Sequence, residues 1–160
     1  MSVAFTKEED SESAAADLPD RPVSPRLNLV TPSGLAQIEA WLAEARAAYA
    51  AAQFGGEVST DRTAMARATR DLRYYGSRRA SAQLVENPES LSVVAFGCTV
   101  DLQREDGRAQ TFRIVGEDEA DPRTGSVSYV SPLAQALLGK AVGDTAQVGG
   151  GGEVEIVAIR

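Results

Sequence analysis

Leu35, Ile38, Leu42, Ala45, Tyr49 and Ala52 recur at intervals of 3, 4, 3, 4 and 3 residues. That spacing lays every side chain on one stripe of an α-helix and marks a heptad seam. Thr31-Pro32 precedes the run as N-cap and first helical residue, where the missing proline N–H is harmless. Phe54-Gly55-Gly56 closes it. Met65, Ala68, Leu72, Tyr75, Arg79 and Ala82 repeat the pattern within a second helical segment, predicted from about Asp61 to Val85. Two seams joined by a short glycine-containing turn call for an antiparallel helical hairpin, because each stripe needs the other to be buried. The alanines allow close approach but bury little area, and Gly76 costs its helix roughly 1 kcal/mol relative to Ala.

Asn87-Pro88 breaks the helical pattern, and residues 87–92 read as a linker. Strand-like runs follow at Val93–Phe96, Thr99–Gln103, Thr111–Val115, Ser126–Val130, Thr145–Val148 and Glu153–Ala158. Asp106-Gly107 is a hairpin signal between two of them. One short helix interrupts the strands, with Ser131 as cap, Pro132 at its first position and Gly139 at its end. Leu133, Ala136 and Leu137 form its predicted sheet-facing side. The fold class is therefore α+β: an N-terminal helical hairpin over residues 28–86 and a β-domain over 93–160.

Net charge is −7, unevenly spread: residues 1–25 hold six acids and two bases, whereas residues 61–80 hold six Arg and two Asp. The acidic stretch carries little apolar surface, so residues 1–27 are expected to be a disordered tail. With no histidine and the single Cys98, the chain has no Ser-His-Asp triad, no Cys/His metal set and no internal disulfide. Gly149–Gly152 lacks the Lys-Ser/Thr of a phosphate loop and reads as a turn. No apolar run reaches the ~20 residues that span a bilayer, and the N-terminus does not resemble a signal peptide. A cytoplasmic protein without membrane contact is the expectation.

Val94–Val100 (V-x-F-G-x-x-V), Phe112–Asp121 (F-R-I-V-G-E-D-E-A-D) and Ser131–Asp144 (S-P-L-A-x-A-L-L-G-K-x-x-G-D) follow one another collinearly. Together they resemble the C-terminal domain of the bacterial Gre-type transcript cleavage factors, the GreA/GreB family. The resemblance implies an FKBP-like antiparallel β-domain beside a coiled-coil hairpin. It also implies a monomeric factor that binds bacterial RNA polymerase at the largest-subunit rim of the secondary channel. Such a factor is no enzyme itself and brings no cofactor. The Mg²⁺ belongs to the polymerase, whose own nuclease activity is stimulated when tip carboxylates help hold metal and water.

The family's tip maps onto Gly56-Glu57-Val58-Ser59-Thr60-Asp61. Glu57 matches the first tip acid, Thr60 stands at the second, and Asp61 falls one position later. A one-residue shift turns a helical side chain by about 100°. Asp61 is thus either a displaced second acid or, like Thr60, a cap for the second helix. Both arms look shorter than the family's by roughly two turns, about 10 Å of reach at 1.5 Å per residue. Two versions of the function stay open: delivery of Glu57 and Asp61 to the polymerase metal, or occupation of the channel in competition with other factors. Arg67, Arg70, Tyr74 and Arg78 share one helix face, either a basic stripe for the RNA 3′ end or channel, or a solvated surface. Val130, Ser131 and Pro132 match the family's polymerase-contacting site, although Ser131 also serves as a helix cap. Asp118, Glu119 and Asp121 read as an acidic surface loop. The FKBP-like fold raises prolyl isomerisation as a reading of another class, but Phe96, Phe112 and Tyr129 supply few aromatic walls for it.

Overall fold

The computed structural model describes residues 18–54, 58–150 and 152–160, with the side chains of 58–61 outside that set. Among the described residues two compact units emerge: 18–26 with those of 37–81, and 27–36 with those of 82–160.

In the first unit, helix α1 (Pro32–Phe54, its first turn belonging to the second unit) and helix α2 (Val58–Ser81) form the two predicted arms. Ile38, Leu42, Ala45 and Ala52 of the first seam are buried, as is Ala68 of the second. The aromatic contribution comes from Trp41, whose ring centroid lies 5.3 Å from that of Tyr75. Near the end of α2 the expected seam position, Arg79, is exposed and pairs with Glu39 at 2.7 Å. Its neighbour Arg78 is the residue that goes inside, at 2% exposure. A long aliphatic stem makes an arginine packable when its polar end has partners, and Arg78 is not without one.

The expectation of a disordered tail over residues 1–27 fails for the part described. Residues 18–26 group with the hairpin. The Arg21 guanidinium lies 3.8 Å from the Tyr74 ring centroid and 5.0 Å from that of Tyr75, and Asp20 meets Arg73 at 3.1 Å. Composition weighs apolar burial, whereas this segment is held by cation–π and charge contacts. Residues 1–17 lie outside the described set.

The second unit begins where the hairpin was expected to begin. Strand β1 (Leu29–Val30) pairs in parallel with β2 (Gln83–Leu84). The Gln83 and Val85 amides donate to the Asn28 and Val30 carbonyls at 2.8 and 2.9 Å. This pairing ends α2 at Ser81, short of the predicted Val85, and separates both roots of the hairpin from the 28–86 unit expected.

Among the described residues, β3 (Thr99–Arg104), β4 (Ala109–Val115), β5 (Ser126–Ser128), β6 (Thr145–Val148) and β7 (Gly152–Ile159) form a sheet in the order β5-β4-β3-β7-β6. All pairs are antiparallel except β4–β5, which is parallel, so the sheet is mixed rather than antiparallel throughout. The loop from Gly116 to Gly125 carries the chain back to the start of β4's neighbour, with a single 3₁₀ turn at Pro122–Thr124. Helix α3 (Pro132–Leu137) covers one face. Alternation does the sorting: Val100, Leu102, Val154 and Ile156 face the core with Ile114, Val127 and Val94. Ala134 and Leu137 are the fully buried residues of α3, with Leu133 and Ala136 at the flanks, so the packed face is centred one residue away from the prediction. Register slips between Asp101 and Leu102, which leaves Val157 without a partner and 43% exposed, a β-bulge.

Val93–Phe96 does not form the predicted strand. Val94 instead accepts from the Gly139 amide and donates to the Lys140 carbonyl, both at 2.8 Å, and buries its side chain in the core. Gly97, with φ of 88°, then turns the chain into β3.

Gly116 and Gly76 make a contrasting pair. A Cβ on Gly116 would stand 2.4 Å from the Leu29 carbonyl oxygen, whereas one on Gly76 would meet nothing within 4 Å. Gly116→Ala is expected to lower stability by about 1–3 kcal/mol through overpacking. Gly76→Ala is expected to raise it by about 0.5–1 kcal/mol through helix propensity. Chemical denaturation of the full chain checks both signs.

Arg160 pairs with Asp101 at 2.6 Å, and Thr111 donates to the same carboxylate at 2.6 Å. The Arg160 hydrogen bond, and then that of Thr111, hold the Asp101 carboxyl below the usual carboxylate range. A carboxyl depressed on folding adds stability above its unfolded pKa, about 3.9, and that contribution is lost as pH falls through the folded value. Asp101→Asn should therefore lower Tm at pH 7, with the gap to the parent chain closing on acidification below about pH 4.

Candidate functional site

The acidic loop after β4 is where chain segments far apart in sequence converge. Thr31 is the N-cap of α1: its Oγ1 accepts from the Gly34 amide at 2.9 Å and donates to Glu119 Oε2. Ser33 Oγ donates to Glu119 Oε1 at 2.6 Å. Arg113 Nη1 stands 3.8 Å from the same carboxylate and 3.4 Å from Ser33 Oγ. Glu119 thus places a negative charge at the N-terminus of α1, where unsatisfied amides and the helix dipole favour it. Its side chain is only 17% exposed. Gly34 leaves the room required, since a Cβ there would come within 2.6 Å of Glu119 Oε2. The loop read as a solvated surface is therefore a clasp. Asp121 has a local duty, capping the 3₁₀ turn through the Arg123 amide at 3.1 Å and pairing with the Arg123 side chain at 3.0 Å. Among the described residues no three His, Cys, Asp or Glu side chains converge as a metal set.

Val130, Ser131 and Pro132 lie together at the start of α3. Ser131 Oγ accepts from the Ala134 amide at 3.2 Å, and Pro132 occupies the first helical position, exposed. The Val130 amide donates to Ser128 Oγ at 3.3 Å. Beneath them Gln135 donates to the Tyr129 carbonyl at 2.7 Å, and Phe96 meets Tyr129 edge-on with centroids 5.7 Å apart. These bonds fix the corner and leave the Pro132 ring exposed to solvent. Phe96, Phe112 and Tyr129 are engaged in packing against one another or the core.

The predicted basic stripe does not hold together. Arg67 is exposed beside Trp41 and Asp71, in a groove on one side of the hairpin. Arg70 lines a different cleft, with Arg62 and Arg73. Arg78 is buried and leaves the stripe altogether. Helical periodicity places residues on a face but does not say which flank the partner arm covers. Glu57 lies outside the described residues. Thr60 and Asp61 fall within α2, which begins at Val58, so neither is its N-cap; their side chains are outside the described set.

Residues 88–160 match the family described as Transcription elongation factor, GreA/GreB, C-term. The transcription elongation factor GreA of Methylobacterium sp. (strain 4-46) is 56% identical over 71 residues, 42% of this chain and 45% of that protein. That of Desulfovibrio desulfuricans is 44% identical over 96 residues, 59% and 58% of the two chains. Residues 88–160 are thus similar to the C-terminal domain of GreA/GreB elongation factors. The chain spans about half the length of these curated relatives. Among solved structures, GreA factor homolog 1 (Gfh1) of Thermus thermophilus aligns over 84% of this chain and 99% of its own, at 23% identity and a TM-score of 0.41. The GreA/GreB factor of Nitrosomonas europaea aligns over 82% and 97%, at 24% identity and a TM-score of 0.38. The GreA/GreB domain match includes Val130, Ser131, Pro132 and the Glu119 loop, whereas α1 and α2 precede it. No described helix is long and apolar enough to cross a membrane.

The clasp generates a quantitative expectation. Thr31→Ala should cost about 0.5–2 kcal/mol as a lost N-cap. Glu119→Ala should cost about 1.5–3 kcal/mol as lost hydrogen bonds to a charged group. Because the two groups bond each other, the double variant should fall short of the sum by on the order of 1 kcal/mol in a denaturation cycle.

Proposed function

We propose that this chain is a transcription elongation regulator that binds bacterial RNA polymerase in the cytoplasm, as a monomer, through its GreA/GreB-type domain. The observation that carries the reading is the 56% identity over 71 residues to a protein named as an elongation factor. Val130, Ser131 and Pro132 are the proposed contact with the largest-subunit rim of the secondary channel. The rigid helix start supports that choice, because a preorganised corner loses little entropy on docking. The hairpin enters the channel, and the exposed Arg67 with the cleft-lining Arg70 meets acidic channel walls or backtracked RNA. Glu57 and Asp61 at its tip assist the polymerase's own nuclease. The reacting Mg²⁺ is the polymerase's, so the chain is an accessory factor rather than an enzyme.

A second reading keeps the same docking and removes the cleavage. It is favoured by Thr60, which stands where the family has its second tip acid; a neutral hydroxyl is a poorer Mg²⁺ ligand than a carboxylate. Stalled, backtracked elongation complexes separate the two. Release of short 3′ RNA fragments, reduced at least tenfold by Glu57→Ala and Asp61→Ala, supports assisted cleavage. Suppression of cleavage by an authentic factor, without fragments of its own, supports channel occupation. Neither effect at saturating protein contradicts both.

A further inference from the structure

The short segment ahead of the hairpin imitates a ligand. We propose that residues 18–26 are an autoinhibitory strap, which occupies the basic and aromatic flank of α2 and must lift before single-stranded RNA binds there. The reading of the chain as a transcription factor is where RNA enters as a natural competitor; the contacts themselves are independent of it.

Two adjacent strap residues reproduce the two chemistries of a nucleotide. The Arg21 guanidinium, a flat delocalised group, lies 3.8 Å from the Tyr74 ring centroid, where a base would stack. The Asp20 carboxylate meets Arg73 at 3.1 Å, where a phosphate oxygen would sit. Arg21 is further held by Asp71 at 3.5 Å. Asp20 and Leu18 wall a cleft of about 460 Å³ together with Met65, Arg62, Arg70 and Arg73. With the strap in place, that cleft has one acid already seated among three arginines. With it lifted, Tyr74, Tyr75 and the three arginines form the interleaved aromatic and cationic surface that suits an unpaired strand. Asp71 is the acid on α2 that remains to oppose RNA there.

The strap is weakly held. Arg73 and Asp20 side chains are 67% and 63% exposed, and such ion pairs contribute little. An apparent affinity is reduced by the fraction of molecules open, so loosening the strap raises affinity without altering the site.

The full chain and its Arg21→Ala variant are titrated into a fluorescein-labelled oligouridine, with anisotropy as the readout at low salt. Arg21→Ala is expected to bind about three- to tenfold tighter despite losing a positive charge. Adding Arg73→Ala should abolish that gain. Trp41, the chain's only tryptophan, contacts Tyr75 and so reports strap position: its emission should move in Arg21→Ala in the direction that saturating RNA moves it in the parent. Equal or weaker RNA binding by Arg21→Ala overturns the proposal. Should that variant lose helical circular dichroism, Arg21→Lys, which keeps charge but loses the flat stacking group, takes its place, and an absent gain there overturns it equally. Failure of the polymerase reading would show separately, in the elongation-complex assay, since free chain and free RNA involve no polymerase.

Discussion

The carboxylate of Glu119 is the interaction on which the architecture turns. It receives the hydroxyls of Thr31 and Ser33, so the start of a 23-residue helix is fastened to a loop of the β-domain more than eighty positions away in sequence. The distal part of this helix's seam relies on Ala45 and Ala52, which bury little area, so its end effects matter correspondingly more. The fastening is reinforced by the parallel β1–β2 pair, by the close passage of Gly116 beneath the Leu29 carbonyl, and by Tyr129, whose hydroxyl donates to the Leu27 carbonyl. Each engages the stretch from Leu27 to Val30, and residues 27–36 accordingly group with the β-domain rather than with the helix they begin.

The hairpin, the strand sequence and the Ser131-Pro132 helix start were legible in the sequence because each is a local pattern: 3,4 spacing, alternation, or cap chemistry. The failures share a cause. Val94 has strand chemistry, yet its hydrogen bonds go to Gly139 and Lys140, a partnership without a local trace. β5 runs parallel to β4 because of a ten-residue excursion whose composition says only that the chain turns. By sequence Glu119 is one acid among several in a loop; the signal that singles it out, Thr31 as an N-cap with Gly34 three residues on, lies far away in the chain. Arg78 and Arg79 differ by one position, and periodicity alone favoured the wrong one for burial. The strap escaped because a guanidinium over a tyrosine carries no hydrophobic signature.

For the candidate site, the consequence is a division of labour. The β-domain supplies a corner at Val130–Pro132, pinned by the Ser131 cap and the bond from the Val130 amide to Ser128 Oγ. The hairpin supplies charge, but not as the single stripe that periodicity draws: Arg67 and Arg70 line different grooves, Arg78 is buried, and the segment from Leu18 to Arg26 engages Arg73 and Tyr74.

The account depends most on recognition of the polymerase by the β-domain. Purified chain and bacterial core polymerase, mixed and passed through a gel-filtration column at near-physiological salt, test it directly. Co-elution, weakened when Pro132 is replaced by a bulky acidic residue that leaves the fold intact, is the predicted result. Separate elution of the parent chain at concentrations well above a micromolar would contradict it.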